Sequence, residues 1–468
     1  MSGIEALRKR IDEIGRPAAI MEEMIRLGFI TEEDLVQSGL GESKIKQALV
    51  ELVPILQEIH DAESRLSQLD DLPTLIAEIR TERIAMVKAR REERKAEKER
   101  ITKERRDTWE KKKRQEAPFL GVGVSNLLIF EGGDPQKIAS SGLPVLATAG
   151  DLAEAIGFST EDLVWLCYER GAATVDHYTR FEIPKRSGGM RLISSPKPKM
   201  RKAQSWINDQ ILSKLEPSNH CFAFRPGLSI VDNALKHTNK KIVFKLDIKD
   251  FFPSITFPRV RGYFQFLGYN PGVASMLALL CTDAPRVRVT VRGVSSIVAV
   301  GERSLPQGAC TSPALANLIA SRLDNRLAGF VQYLRDDWTY TRYADDLTFS
   351  TSNPDANLGA LMTVAGRIAR DERFEINQKK TRIMRSPRRQ SVTGLIVGSE
   401  VRIPKKVIKQ IRALFHNIET KGAEVVSEKL GKNSINVAQG FWSYMHMVDP
   451  DLAASYLRKH PWLSPKNH

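Results

Sequence analysis

Apolar residues recur at helical spacing from the start of the chain. Ile4, Leu7, Ile11 and Ile14 fall on one face, and Gly15-Arg16-Pro17 then breaks the run. Thr31 followed by Glu32, Glu33 and Asp34 predicts a helix start, with an acceptor side chain capping free amides. Ile45, Leu49, Leu52, Leu56 and Ile59 form a second apolar stripe. From Thr81 to Arg114 the pattern is almost all charge, with fifteen basic and eight acidic residues and neither Gly nor Pro. That stretch predicts a solvated helix held by i, i+4 ion pairs, with a basic RNA-contacting arm as the alternative. If helical throughout, it spans about 50 Å at about 1.5 Å per residue.

Pro118 to about Tyr178 opens as a Gly-containing linker and continues as a short helical unit. Its faces are Leu152, Ala155 and Ile156, then Leu163, Leu166 and Cys167. From Arg180 short β-rich runs alternate with helices. Arg180 to Ile193 predicts two strands around the turn Ser187-Gly188-Gly189. Met200 to Leu215 and Ile230 to His237 predict helices. Ile242 to Ile248 and Trp338 to Ser350 predict strands flanking a long helical middle. After Pro404 the pattern is helical again. These changes divide the chain at 1–117, 118–178, 179–403 and 404–468, an α+β protein with no internal repeat.

Composition narrows the class. At 468 residues the chain is too long for one core, and 42% hydrophobic with 27% charged residues is a globular balance. A net charge of +15 and a pI near 9.6 imply a polyanionic partner, most simply nucleic acid. No apolar run approaches the roughly 18 residues of a membrane helix, and MSGIEALRKR puts charges where a signal peptide has its apolar core. The four cysteines, Cys167, Cys221, Cys281 and Cys310, lie far apart with no CxxC pair. A cytoplasmic protein with no membrane partner is expected, not a secreted or disulfide-built one.

The sharpest chemical signal is Tyr343-Ala344-Asp345-Asp346 inside YTRYADDLTFS. Its neighbours are β-branched and aromatic, which predicts a hairpin with the aspartates at its turn. Adjacent carboxylates on a tight turn repel each other unless a cation neutralises them. An Asp-Asp pair at a solvated turn is common, but a second segment, VFKLDIKDFFPSI, weakens that reading. There Asp247 ends an apolar strand, where a buried carboxylate needs a partner or a metal. Hard oxygen ligands of this kind suit Mg²⁺.

YADD, LDIKDFFPSI and SLPQGACTSP together resemble the palm of a reverse transcriptase, in the family's order from about Phe181 to Gly398. The resemblance implies a right-hand polymerase of fingers, palm and thumb behind an all-α N-terminal extension. It implies that Asp247, Asp345 and Asp346 hold two Mg²⁺ ions about 4 Å apart, one activating the 3′-hydroxyl and one bridging the incoming triphosphate. Phe252 matches the aromatic gate against a ribonucleotide 2′-hydroxyl, whereas an ordinary core role suits Phe251 better. Lys185 and Arg191 flank the fingers turn, where cations grip the triphosphate. Gln307 and Gly308 match the segment that contacts nucleotide and template. Lys380, in NQKKTR, matches the lysine near the leaving pyrophosphate, and Lys379 is the solvated neighbour.

Two further patterns resemble markers of retron reverse transcriptases: Asn233-Ala234-Leu235-Lys236-His237, of the form NAxxH, and Val392-Thr393-Gly394. Asn233 and His237, four apart on a helix, and the Val392-Thr393-Gly394 triplet are expected to bind RNA. Cys310 departs from the family's usual proline, and Arg225-Pro226-Gly227-Leu228 varies its finger loop. Lys405, Lys406, Lys409 and Arg412 suit a thumb that tracks phosphates, or a solvated helix face. Gly440-Phe441-Trp442-Ser443-Tyr444 resembles thumb core. The retron resemblance implies copying of a structured noncoding RNA from a guanosine 2′-hydroxyl, single-stranded DNA joined to RNA, and a role in antiphage defence. An effector protein, or a second copy meeting the N-terminal extension, completes the expected partners. The rivals are a group II intron type, which usually carries a maturase region after the thumb, and a non-catalytic RNA-binding scaffold.

Overall fold

Gly15, at φ 84°, turns the chain between two amphipathic helices, Gly3–Ile14 and Arg16–Arg26. Pro17 is tolerated because the first turn of a helix has no use for its missing N–H. Arg10 reaches across to Glu22 at 3.0 Å, and Ala19 is buried. The structure is a computed structural model describing residues 3–31, 58, 62, 65, 72–115, 119–121, 123–185, 188–291, 294–334 and 337–463. The helix start expected after Thr31 and the stripe from Ile45 to Ile59 lie outside the described residues.

The charged run is one helix, Leu72–Gln115, of 44 residues. It begins earlier than charge alone suggested and extends about 66 Å. Every residue from Ala77 to Thr108 is exposed. Surface ion pairs such as Arg100–Glu97, at 2.8 Å, contribute about 1 kcal/mol or less each. The helix therefore rests mainly on the intrinsic propensity of Ala, Glu, Lys and Arg. The chain divides into two units, Met1–Thr108 and Trp109–His468.

In the second unit the expected linker proves to be core. Leu120, Val124 and Leu128 are buried in the same cluster as Leu246, Leu347 and Phe349. The Pro271–Cys281 helix anchors them and is buried on every side from Gly272 to Cys281. Gly272 is required there, because a Cβ would sit 2.6 Å from the Phe130 ring. The helices Ala149–Ile156 and Thr160–Cys167 bury Leu152, Ile156, Leu163, Leu166 and Cys167 as expected, with Ala153 in the place predicted for Ala155. A Thr148–Asp151 capping box starts the first of them.

Twelve strands follow among the described residues. They are β1 (Ala172–Ala173), β2 (Tyr178–Pro184), β3 (Met190–Pro196), β4 (Ile242–Asp247), β5 (Arg286–Val291) and β6 (Val294–Ala299), then β7 (Thr339–Tyr343), β8 (Asp346–Thr351), β9 (Arg382–Arg385), β10 (Ser391–Val392), β11 (Leu395–Val397) and β12 (Val401–Arg402). The central antiparallel sheet has the order β7-β8-β4-β9. Strands β2 and β3 form a separate hairpin, the expected fingers turn. Its base is fixed by Arg180, which binds Asp176 at 2.8 Å and Asp283 at 2.6 Å. The β5–β6 hairpin interrupts the middle that was expected to be helical throughout.

The Ser312–Tyr333 helix lies against β7, and the Leu358–Asp371 helix packs on it in turn. Beyond Pro404 come four helices, Lys405–Lys421, Ala423–Leu430, Ser434–Val448 and Pro450–Lys459. They share a core of Ile411, Phe415, Ile418, Met445, Ala453 and Tyr456. Phe441, Trp442 and Tyr444 pack against it, as expected of thumb core. A third cluster, Ala234, Val243, Val392, Leu395 and Val397 with Tyr444 and Val448, joins these helices to the sheet. No described helix is long and apolar enough to cross a membrane.

Candidate active site

The register of the central sheet assembles the acidic residues. Strand β4 ends on Asp247, which lies directly opposite Asp346, the first residue of β8. Residues paired across an antiparallel ladder project from the same face. Asp345 occupies the two-residue turn between Tyr343 and Asp346, after Ala344 at φ 56°. A positive φ is unfavourable for a residue with a Cβ, so the turn needs outside support. Ile248 N–H donates to the Asp345 carbonyl at 2.8 Å, and Arg342 Nη1 donates to the Ala344 carbonyl at 3.2 Å.

Two lysines balance these carboxylates. Lys380 Nζ lies 2.9 and 3.0 Å from the Asp247 oxygens, and Lys245 pairs with Asp346. Burial raises the Asp345 carboxyl above its usual range, and the charges of Asp247 and Asp346 add to that. Burial also raises Asp346, against the pull of Lys245. Carboxyls held up by burial and mutual repulsion gain from an added cation. Among the described residues no three acidic, His or Cys side chains are gathered as a ready-made cage. The donor chemistry nevertheless fits hard cations, and the ammonium groups hold the positive charge near these oxygens in this structure.

The other candidates lie on several elements. Phe251 is buried and Phe252 half-buried, with ring centroids 5.5 Å apart. Lys185 and Arg191 are both exposed at the far end of the β2–β3 hairpin. The Gln307 carbonyl accepts the Ser194 N–H at 2.7 Å, tying the PQG segment to β3. Gly308 has φ 108°, and a Cβ there would lie 2.8 Å from Ile193 Cγ2, so only glycine fits. Lys380 closes the short turn Gln378–Lys380, and Lys379 is exposed.

The support behind the turn comes from residues that carry no functional motif. Arg342 is fully buried and binds both oxygens of Asp324, on the Ser312–Tyr333 helix, at 2.8 Å each. Burial opposes the guanidinium charge and Asp324 more than restores it. Tyr340 donates to the same carboxylate at 2.7 Å. Lys245 was legible, because it stands two residues before Asp247 and so shares its face. Arg342 carried no such sign, since its partner lies 18 residues away on another element.

The residues expected to contact RNA do not share one helical face. The helix after Ser229 ends at Leu235, so His237 lies beyond it and not on a shared helical face with Asn233. His237 is buried beneath the sheet, its ring nitrogens 2.7 Å from Ser350 Oγ and 2.7 Å from Thr341 Oγ1. Asn233 and Val392 are buried as well. Thr393 donates its hydroxyl to the Ile230 carbonyl at 3.0 Å, which leaves Gly394 exposed at the turn. His237 and Val392 are thus packed inside the protein, and among the described residues the buried Asn233 amide has no hydrogen-bond partner on either atom. The two patterns meet in one joint between the sheet and the C-terminal helices.

Residues 183–418 match the family described as reverse transcriptase (RNA-dependent DNA polymerase). The retron Mx162 reverse transcriptase of Myxococcus xanthus is 38% identical over 341 residues, 69% of this chain and 68% of that protein. The retron Mx65 reverse transcriptase of the same organism is 40% identical over 326 residues, 70% and 74% of the two chains. A solved apo telomerase from Candida tropicalis gives a TM-score of 0.39 at 13% identity over 58% of this chain and 59% of that one, too low to argue from. With Asp247 and the Tyr343–Asp346 turn on one antiparallel sheet and these relatives across two thirds of its length, the chain belongs to the reverse transcriptase family, as a retron-type RNA-directed DNA polymerase.

Proposed function

We propose that this protein copies a dedicated structured noncoding RNA into single-stranded DNA that stays joined to that RNA. Synthesis starts from a guanosine 2′-hydroxyl of the same RNA, and the product serves defence against phage. The observation that carries the reading is the Asp247–Asp346 pairing beside Asp345, in a chain so similar to retron enzymes. Asp247, Asp345 and Asp346 would hold two Mg²⁺ ions, which would supply a Lewis acid for the primer hydroxyl and charge neutralisation for the phosphates. Lys380, already beside Asp247, neutralises charge on the leaving pyrophosphate. Lys185 and Arg191 bind the triphosphate, Phe252 bars a 2′-hydroxyl, and Gln307 and Gly308 seat the nucleotide against the template.

Asn233, His237, Val392, Thr393 and Gly394 help select the partner RNA, and Val392 packs in the cluster that sets the C-terminal helices against the sheet. Lys405, Lys406 and Lys409 are exposed at the start of those helices and would follow a phosphate backbone. The N-terminal unit meets an effector protein or a second copy of the chain.

Sequencing the nucleic acid that copurifies with the wild-type chain and with Asp345→Asn tests this reading. One RNA should accompany both proteins, and covalently joined single-stranded DNA the wild type alone. A random sample of cellular RNA, or DNA on the Asp345→Asn protein, would overturn it.

A further inference from the structure

Phe224 adopts φ 56°, a backbone state that bulky side chains rarely take, and it is 52% exposed. Its flanks leave it no alternative. Phe222 N–H donates to the Arg342 carbonyl at 2.9 Å, and Arg342 N–H to the His220 carbonyl at 2.7 Å. Asn317 Nδ2 donates to the Ala223 carbonyl at 2.7 Å, and Arg225 Nη1 to the Cys221 carbonyl at 3.3 Å. The segment is thus tied to β7 and to the Ser312–Tyr333 helix on one side and to itself on the other. The residue between must turn left-handed and carry its side chain out of the core. Glycine or asparagine would meet that backbone with less strain.

The ring's position suggests what offsets the strain. Phe374, Phe251, Phe252 and Phe224 form a row with successive centroids 5.8, 5.5 and 6.3 Å apart. The row begins among buried residues, passes through half-buried Phe252 and surfaces at Phe224. Strained, solvent-facing side chains of this kind concentrate at binding sites, where the surrounding structure over-determines them.

We propose that Phe224 is a nucleobase-stacking residue of the active site, offering its ring face to a base beside the position gated by Phe252. The proposal rests on the reverse transcriptase reading and extends it to a residue that carries no metal or triphosphate role. An aromatic face accepts any base, which suits an enzyme that must copy every template position. The base comes from the primed template or from the incoming nucleotide, and the two sources are separable.

The test uses the full-length chain with poly(rA)·oligo(dT), dTTP and Mg²⁺, comparing Phe224→Gly, Phe224→Ala and Phe224→Trp. Three quantities are read: affinity for the primed template without dTTP, KM for dTTP, and the thermal midpoint. Glycine should hold or raise the midpoint, because it relieves the left-handed strain, yet weaken one binding constant by about fivefold or more. Tryptophan should restore that constant to within about twofold. A change in template affinity assigns the base to the primed template, and a change in KM alone assigns it to the incoming nucleotide. Both constants unchanged in the Gly and Ala variants would overturn the proposal. So would a lowered midpoint in the Gly variant with losses that tryptophan does not repair. A wild-type chain that binds the template without extending it would sink the polymerase reading, while the affinity comparison would still decide Phe224.

Discussion

Arg342 and Asp324 form a fully buried, two-pronged ion pair, Nε to Oδ1 and Nη2 to Oδ2, both at 2.8 Å. The guanidinium also donates to the carbonyl of Ala344, the strained residue before Asp345. The pair therefore connects the long helix to the turn that carries the acidic residues.

Arg342→Met alone strands a buried carboxylate and should destabilise the fold by about 3–5 kcal/mol. Pairing it with Asp324→Leu replaces the ion pair by apolar groups and should recover most of that stability in urea unfolding. The double variant should still lose about tenfold or more in kcat with KM for dNTP little changed, because the Ala344 carbonyl has lost its donor. Wild-type turnover in a stable double variant would confine the pair to stability.

Phe251 and Phe252 are adjacent yet differ in burial, so their substitutions should separate. Phe251→Ala empties a core position and should lower stability by about 3–5 kcal/mol with sugar choice retained. Phe252→Ala should lower the preference for dNTP over rNTP by about tenfold or more in single-nucleotide extension. Unchanged selectivity would return Phe252 to a packing role.

Burial, helped by Lys240 and Lys245, lowers the His237 pKa to about 3. Its unfolded value is about 6.5, so between these values the unfolded chain binds a proton that the folded one does not. The stability from neutral His237 is complete above about pH 6.5 and is lost as pH falls towards about 3. At pH 5 the loss should be about 2 kcal/mol relative to pH 7. In His237→Gln, denaturant midpoints should vary less across that interval. An identical pH slope in the variant would show that other groups carry it.

The main core cluster begins at Leu120, and the acidic residues and the fingers hairpin all lie beyond it. A chain starting at Trp109 should therefore fold and extend a primed template at a rate within about threefold of the full chain, since its reacting groups are unchanged. It should lose any self-association or effector binding, read by light scattering and copurification. A folded but inactive product would make the N-terminal unit part of the polymerase.

Local patterns made much of this protein legible. The palm motifs, the fingers hairpin, the capped helices before it and the charged helix all rest on short-range periodicity or on runs of chemically distinctive residues. The β5–β6 hairpin lies between apolar helices, and only the period-two alternation of RVRVTV marks its first strand. The segment from Leu120 to Leu128 carries glycines that resemble linker punctuation, yet Leu120, Val124 and Leu128 are buried. What makes it core is the Pro271–Cys281 helix, which has apolar residues on every face and must be covered on every face.

By itself the sequence supplied the candidates: Asp247 at the end of one strand, Asp345 and Asp346 at a hairpin turn, the aromatic pair Phe251 and Phe252, and Lys380. It could also place Lys245 on the face of Asp247, because a strand alternates sides with period two. Only the tertiary structure decided which polar residues serve the site and which serve the fold. The sequence presents Asn233, His237 and Thr393 as one RNA-directed set, whereas packing buries the first two and bonds the third to the Ile230 carbonyl. Arg342 read as one more cation on a basic chain until Asp324 closed on it. Whether a polar side chain is free to meet a ligand depends on partners brought near by long-range packing, and no local pattern encodes that proximity.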